Sequence, residues 1–346
     1  MSTVLNYMNA PEFSDDRLTE AINVAAYRTG RPAQLGLFRD TPIPTTFVRL
    51  GITNDEIAII PARERGGESN LNMRGDQQSL NLNIPHFPLD DSIGPSDIQN
   101  LMAWGEAYVF NTLAGVVAQK QENIRAKHEQ TWHHLDWGAL KGLIVDGEGK
   151  QIANLYTEFG ISQPTANFAL GTAGTNVPAL LRTVKSNTAR ELRGAPNAGI
   201  RIFAGSAFFD AFVSHQSVTE ALKMYAAAGQ PNPQRDDVVD EFRIAGTTIE
   251  RVTEEFAFRK PDGTFQMLPA IAANEALAVP MGTNYFRRYI APPDSIDLAN
   301  RAPRPDSKIF VSTYDLPHGK GREMHTESNV LPICVRPQII TRLTMA

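Results

Sequence analysis

The chain has 346 residues, 42% hydrophobic and 21% charged, with a formal net charge of −5. That is room for two ordinary domains and a globular composition, which excludes a disordered or fibrous chain. A single cysteine, Cys334, excludes an intrachain disulfide framework and a multi-cysteine zinc site, and the lack of a basic block argues against specific duplex recognition.

No apolar run approaches the ~18 residues of a membrane span, so no membrane partner is expected. The first residues lack a basic leader followed by an apolar segment, so secretion is not expected either. Residues 12–37 read as one short amphipathic helix on an extended arm. Ser14 is placed to cap it, Asp15 and Asp16 complement its dipole, and Leu18, Ile22 and Ala25 share a face. Gly30 and Pro32 stop it.

From 38 to 92 the pattern turns extended. Residues 45–50 and 57–60 are β-branched and apolar, as strands prefer. Ser79-Leu80-Asn81-Leu82-Asn83-Ile84 alternates strictly, which places Leu80, Leu82 and Ile84 on one face of a half-buried strand. Between these runs lie Arg63-Glu64-Arg65-Gly66-Gly67-Glu68-Ser69-Asn70 and then Arg74, all polar or small. The pattern predicts a long two-stranded arm with a mobile, charged tip. Such a hairpin has too little surface to bury alone and needs something to lie on. An ordinary surface hairpin is the plainer alternative.

Residues 95–131 carry the strongest helical signal. Pro95 and Ser96 mark a start, and Ile98, Leu101, Met102, Tyr108, Val109, Thr112, Leu113, Val116 and Val117 recur at helical spacing. The pattern fades into 119–130, where only Ile124 is apolar. A helix of about 35 residues runs ~50 Å, beyond the usual span of a domain. Its polar second half is expected outside its own core. Residues 138–146, 147–149 and 150–156 then read as strand, turn and return strand, with Asp146-Gly147 as the hairpin dipeptide.

Residues 161–300 look like a separate α/β domain. A buried strand at 199–203 precedes a helix with Phe208, Phe209, Phe212 and Val213 inward. Ser217-Val218-Thr219-Glu220 reads as a capping box for a further helix ending at Gly229. Residues 242–252 and 276–280 suit strands, as do 308–313 and 330–343.

Candidate chemistry is thin. His133, His134 and Asp136 are close in sequence, but adjacent histidines face different ways in a helix or strand, and no HExxH spacing is present. Ala204-Gly205-Ser206-Ala207-Phe208 sits between strand and helix, yet a nucleophile elbow needs glycine where Ala204 and Phe208 stand. Ser206 reads as a helix cap. Gly171-Thr172-Ala173-Gly174-Thr175 has no lysine after it to make a phosphate cradle. No catalytic residue, cofactor or metal is expected.

Five stretches taken together resemble the major capsid proteins of lambda-like tailed bacteriophages, the capsid protein E family with the Hong Kong 97 capsid fold. They are Leu35-Gly36-Leu37-Phe38 with 45–50; Ile84-Pro85-His86-Phe87-Pro88-Leu89-Asp90-Asp91-Ser92-Ile93; Gly138-Ala139-Leu140-Lys141-Gly142 with Asp146 and Gly149; Phe208-Phe209-Asp210-Ala211-Phe212 with His215 and Val218; and Glu327-Ser328-Asn329-Val330-Leu331-Pro332-Ile333-Cys334-Val335-Arg336-Pro337. The resemblance implies an α+β protein that is not an enzyme. It assigns 1–37 to an N-terminal arm, 38–92 to an extended β-hairpin loop, and 93–160 to a peripheral domain with a spine helix. Residues 161–301 would be an axial domain, 302–329 the return to the peripheral domain, and 330–346 the closing of the axial one.

It further implies hexamers and pentamers that close into an icosahedral shell around phage DNA, with only non-specific contact to the duplex. A head decoration protein, a portal, and a scaffold or protease during assembly would be partners, in a virion capsid built in the host cytoplasm. Arg63, Arg65 and Arg74 at the loop tip, with Leu80, Leu82 and Ile84 on its strand, are the expected subunit interface. The loop contains no lysine, so an isopeptide cross-link from Lys141 or Lys150 is not expected. The alternatives are a hydrolytic enzyme using 161–300, or a different phage structural component such as a decoration or tail protein.

Overall fold

The computed structural model describes residues 8–24, 27, 29–53, 77–97, 109–227, 241–260, 262–304 and 306–345. The arm is two short helices rather than one. A 3-10 turn, Pro11–Phe13, leads into α1 (Asp15–Ile22), and a one-turn helix, α2 (Arg31–Gln34), follows. Ser14 sits at the cap position, but its hydroxyl donates back to the Pro11 carbonyl (2.9 Å) and leaves the helix amides uncapped. Asn23 ends α1 by tying it to the body: its amide nitrogen donates to the Thr19 and Ile309 carbonyls, and its oxygen accepts from the amides of Lys308 and Ile309. Leu18 and Ile22 are buried as expected; Ala25 lies outside the described residues.

Strand β1 (Arg39–Pro42) enters the body, and β2 (Phe47–Thr53) pairs antiparallel with β3 (Gln77–Asn83), with Val48 opposite Leu82 and Leu50 opposite Leu80. The expected strand at 57–60 falls outside the described residues. Next come β4 (Phe87–Ile93) and the long helix α3 (Val109–Lys141), whose 33 residues make a rod of about 50 Å.

Helix α3 corrects two expectations. It runs ten residues past 131, so 138–141 are helix and the strand starts only at β5 (Leu143–Val145), paired with β6 (Gln151–Asn154). Its polar stretch is also not outside the core. Leu113, Val117, Gln121, Ile124, His128, Trp132 and Leu135 are all buried, at steps of four and three residues, one continuous stripe. Gln121 and His128 fill stripe positions because their polar atoms find partners. The Gln121 amide donates to the Leu18 carbonyl, and the His128 ring bridges the hydroxyls of Ser328 (2.9 Å) and Thr326 (3.2 Å).

After α4 (Leu155–Glu158) come β7 (Thr165–Asn167), α5 (Val177–Leu192), β8 (Ile200–Ala204), α6 (Ser206–Ser214), α7 (Gln216–Ala227), β9 (Glu241–Ile244) and β10 (Thr247–Arg251). Gly205, not Ser206, holds the cap position of α6; a Cβ there would meet the Ala272 carbonyl oxygen at 2.1 Å, so close backbone approach explains the glycine. Ser217 lies inside α7 rather than before it. Its hydroxyl is shared with the His215 ring (2.9 Å), while Glu220 accepts from Gln216, so no capping box forms. Gly229 lies outside the described residues.

The chain closes with β11 (Glu255–Arg259), β12 (Phe265–Pro269), β13 (Glu275–Pro280), β14 (Phe286–Ile290), β15 (Phe310–Asp315), β16 (Arg322–Ser328), β17 (Val330–Cys334) and β18 (Thr341–Thr344). Three sheets organise the body: a six-stranded one in the order β7-β18-β13-β8-β10-β9, and three-stranded ones β1-β14-β17 and β15-β16-β4. On the large sheet, Ile200, Ile202, Ala276 and Ala278 face α5 and α6 through Leu181, Val184, Phe208 and Phe212. Phe203, Leu277 and Val279 point to the opposite side, where Trp137 of α3 meets Phe203 edge-on at 5.2 Å. The last two turns of α3 are therefore the hub on which arm, hairpin and large sheet converge.

Candidate assembly surfaces and the ionic centre behind them

The β2–β3 hairpin is anchored at its base. Leu82 (5% exposed) and Val48 (4%) join the cluster around Trp137, and Leu50, Leu80 and Ile84 pack half-buried against it. The opposite face is polar apart from the exposed Phe47, with the Arg49 guanidinium donating to the Asn81 side-chain oxygen (3.3 Å). Alternation in β3 thus becomes an inner apolar and an outer polar face. Of the six residues expected at an interface, Leu82 is already spent on the chain's own core and Leu80 and Ile84 are half spent. Arg63, Arg65 and Arg74 lie outside the described residues.

Behind the hairpin, buried charges fix the arm to α3. The Arg288 guanidinium donates to Asp136 (2.6 Å) and Asp40 (2.9 Å), and the Lys308 ammonium reaches the other Asp40 oxygen at 2.7 Å. The Tyr27 ring lies 5.0 Å from the Arg288 guanidinium and 5.4 Å from the Lys308 nitrogen. Burial opposes charge on Arg288, yet the Asp136 and Asp40 carboxylates outweigh it and hold the guanidinium charged, raising its pKa. Burial lowers the pKa of Lys308, opposed by Asp40.

A second cluster ties α2 to the large sheet. Glu254 accepts from the rings of His133 (2.7 Å) and Trp137 (2.6 Å) and from the Arg31 amide (2.8 Å). Burial pushes this carboxyl up, but those hydrogen bonds win and hold it below its ordinary value. The Arg31 side chain continues to Glu250, which also binds Arg201. Gly30 makes the crossing possible: its φ is +83°, and a Cβ would lie 2.1 Å from the His133 ring. His134 points elsewhere, its Nε2 against the Val145 carbonyl (3.0 Å). His133, His134 and Asp136 thus serve three separate partners. Among the described residues, no group of three or more His, Cys, Asp or Glu side chains could hold a metal ion.

The exposed apolar surface includes sites the sequence reading missed. Hairpin β11–β12 pairs with no third strand among the described residues. Its inner face sets Phe256 and Phe258 edge-on against the His133 and His134 rings. Outside, Phe265 (69% exposed) and Met267 (55%) face solvent, with Leu268 (38%) at the edge. The signal was present in Phe265-Gln266-Met267-Leu268-Pro269, an uncharged strand-like run after a Gly263 turn. Helix α1 borders an open, exposed depression of about 510 Å³ lined by Pro11, Glu12, Arg17, Glu20, Ala21 and Val24.

Comparison with known proteins follows the same line. Residues 14–345 match the family described as Phage major capsid protein E. The chain is 26% identical over 364 residues to the major capsid protein of Pseudomonas phage KPP10, covering 99% of each. It is 23% identical over 339 residues to that of Salmonella phage Felix O1, covering 90% of each. Among solved structures, one described as a prophage capsid protein of E. coli CFT073 superposes with a TM-score of 0.57 at 11% identity, over 96% of this chain and 99% of that one.

Proposed function

The chain belongs to the phage major capsid protein E family, and from that premise we propose that it closes into rings of six and five copies forming an icosahedral shell around double-stranded DNA. Its α+β fold is of the Hong Kong 97 type, and it is a shell-forming major capsid protein of a phage. One observation carries the reading: the match runs from 14 to 345, through arm, hairpin, spine helix and all three sheets of the body, and not through one domain alone.

In this reading 1–37 is the arm, 38–92 the extended loop, 93–160 and 302–329 the peripheral domain, and 161–301 with 330–346 the axial domain. Arg63, Arg65 and Arg74 at the loop tip pair with carboxylates of an adjacent capsomer. The half-buried Leu80 and Ile84 give the neighbour the apolar remainder of the hairpin to cover, beside the Leu82 that anchors it. DNA meets the shell without sequence preference. A portal, a scaffold or protease, and a decoration protein act with it during assembly in the host cytoplasm.

The test is particle formation. Purified chain viewed by negative stain should give rings, shells or tubes. Charge reversal at Arg63, Arg65 and Arg74 together should leave a soluble, folded monomer and cut particle yield at least tenfold. Normal particles from that triple variant would remove the loop tip from the interface. A small closed oligomer from the unmodified chain would remove the shell reading itself.

A further inference from the structure

We propose that α1 is an edge guard: its polar stripe of Asp15, Thr19 and Asn23 occupies the outer edge of β15 and keeps that strand from pairing with β15 of a second copy. Strand β15 ends the order β15-β16-β4, so one of its edges has no strand beside it among the described residues. Its residues Phe310-Val311-Ser312-Thr313-Tyr314 are uncharged, mostly aromatic or β-branched, and contain no proline. An open edge of that composition is a template for further pairing, and lysine or proline is the common protection. Here a helix supplies the protection instead.

The match is geometric. Helix residues four apart are ~6 Å apart along the axis, and strand residues two apart are separated by ~6.6 Å. A helix laid antiparallel along a strand therefore meets alternate strand residues with every fourth residue of its own. Asp15 accepts from the Thr313 hydroxyl (2.7 Å). The Thr19 hydroxyl accepts from the Val311 amide (3.0 Å) and donates to the Val311 carbonyl (3.4 Å). The Asn23 carboxamide accepts from the Ile309 amide (3.2 Å) and donates to the Ile309 carbonyl (2.7 Å). At 309 and 311 these side chains make the paired bonds that the peptide groups of a neighbouring strand would make. Leu18 and Ile22, both buried, hold the helix down beside the stripe. The same edge exists in every copy, and two antiparallel strands of one sequence pair about a two-fold, an isologous contact that closes on itself. Under the shell-forming reading, covering this edge leaves the copies to the heterologous contacts that close rings. The guard itself is read on unassembled chain, so its failure and the failure of the shell reading are separate results.

Thr19→Val with Asn23→Leu keeps the size of both side chains and removes their hydrogen bonds to β15. Ser312→Cys reports pairing of the strand, because Ser312 is exposed and the only native cysteine, Cys334, is buried. Unassembled full-length chain is treated with a short bis-maleimide and run on a denaturing gel. Ser312→Cys alone should stay monomeric, and the triple variant should shift to a dimer band. Adding Tyr314→Lys, a charge at an exposed position of the same strand, should return the monomer, which it would not do for a chain that merely misfolds and aggregates. A triple variant that stays monomeric overturns the proposal. So does a dimer that persists with Tyr314→Lys, since that association does not run through the edge. An equal dimer band from Ser312→Cys alone overturns it as well, because the edge is then open with α1 intact.

Discussion

Arg288 illustrates how this protein handles buried charge. Its guanidinium is nearly sealed from water but divided between two carboxylates and an aromatic face, so neither Asp136 nor Asp40 is left alone. Arg288→Met removes the cation and keeps most of the volume, stranding Asp136 in a site with no exposure. The expected loss is about 3–5 kcal/mol in a denaturant melt. A loss below about 1 kcal/mol would mean that Asp136 takes up a proton without cost. Two histidines set an acid limit as well. Burial lowers His128 and His134 to about 4, against about 6.5 in an unfolded chain. Between those values the unfolded state binds more protons, so stability is full above about 6.5 and falls as pH drops toward 4, by about 1.4 kcal/mol per unit for each ring. Unfolding midpoints from pH 7 to 4.5 should show this slope, flattened in His128→Gln. None of these pairings was legible in the sequence, because the partners lie far apart: Arg288 binds residues 248 and 152 positions away.

Regular patterns were legible where one element carries its own period. The alternation at 79–84 specified the inner face of β3, and the phenylalanines of α6 specified its buried side. The sequence bounds helix α3 at 131, yet Trp132, Leu135, Trp137 and Leu140 continue its buried side to Lys141. The stripe from Leu113 to Leu135 keeps helical spacing through Gln121 and His128, whose burial depends on Leu18, Thr326 and Ser328 from elsewhere. Strands β1 and β14 carry no period long enough to see; β1 is four residues long, and its parallel partner begins at Phe286. The hairpin base gives a direct energetic check. Leu82→Ala should cost about 2–5 kcal/mol, read from thermal or denaturant unfolding of unassembled protein. A near-zero cost would mean that β2–β3 detaches from the body before assembly.

At the scale of the whole molecule, the fold divides into a self-sufficient body and attachments secured on one side. The body closes around the C-terminal turns of α3, where the central cluster gathers residues from the hairpin, the large sheet and the closing strands. Exposed apolar side chains remain on the outer face of β11–β12, and in the proposed shell a copy of the same chain covers the β2–β3 hairpin. Composition alone pointed to a protein held together by packing, with no intrachain disulfide framework and no multi-cysteine zinc site to replace it. What it could not give is which surfaces remain uncovered, since that depends on tertiary geometry. Hydrogen–deuterium exchange on unassembled protein and on shells separates the two classes. The backbone amides of β3 should exchange at least tenfold more slowly in the shell, while those of β8 and β13 stay equally protected in both. Equal exchange of the β2–β3 hairpin in both states would contradict the claim that this chain completes its burial only by assembling.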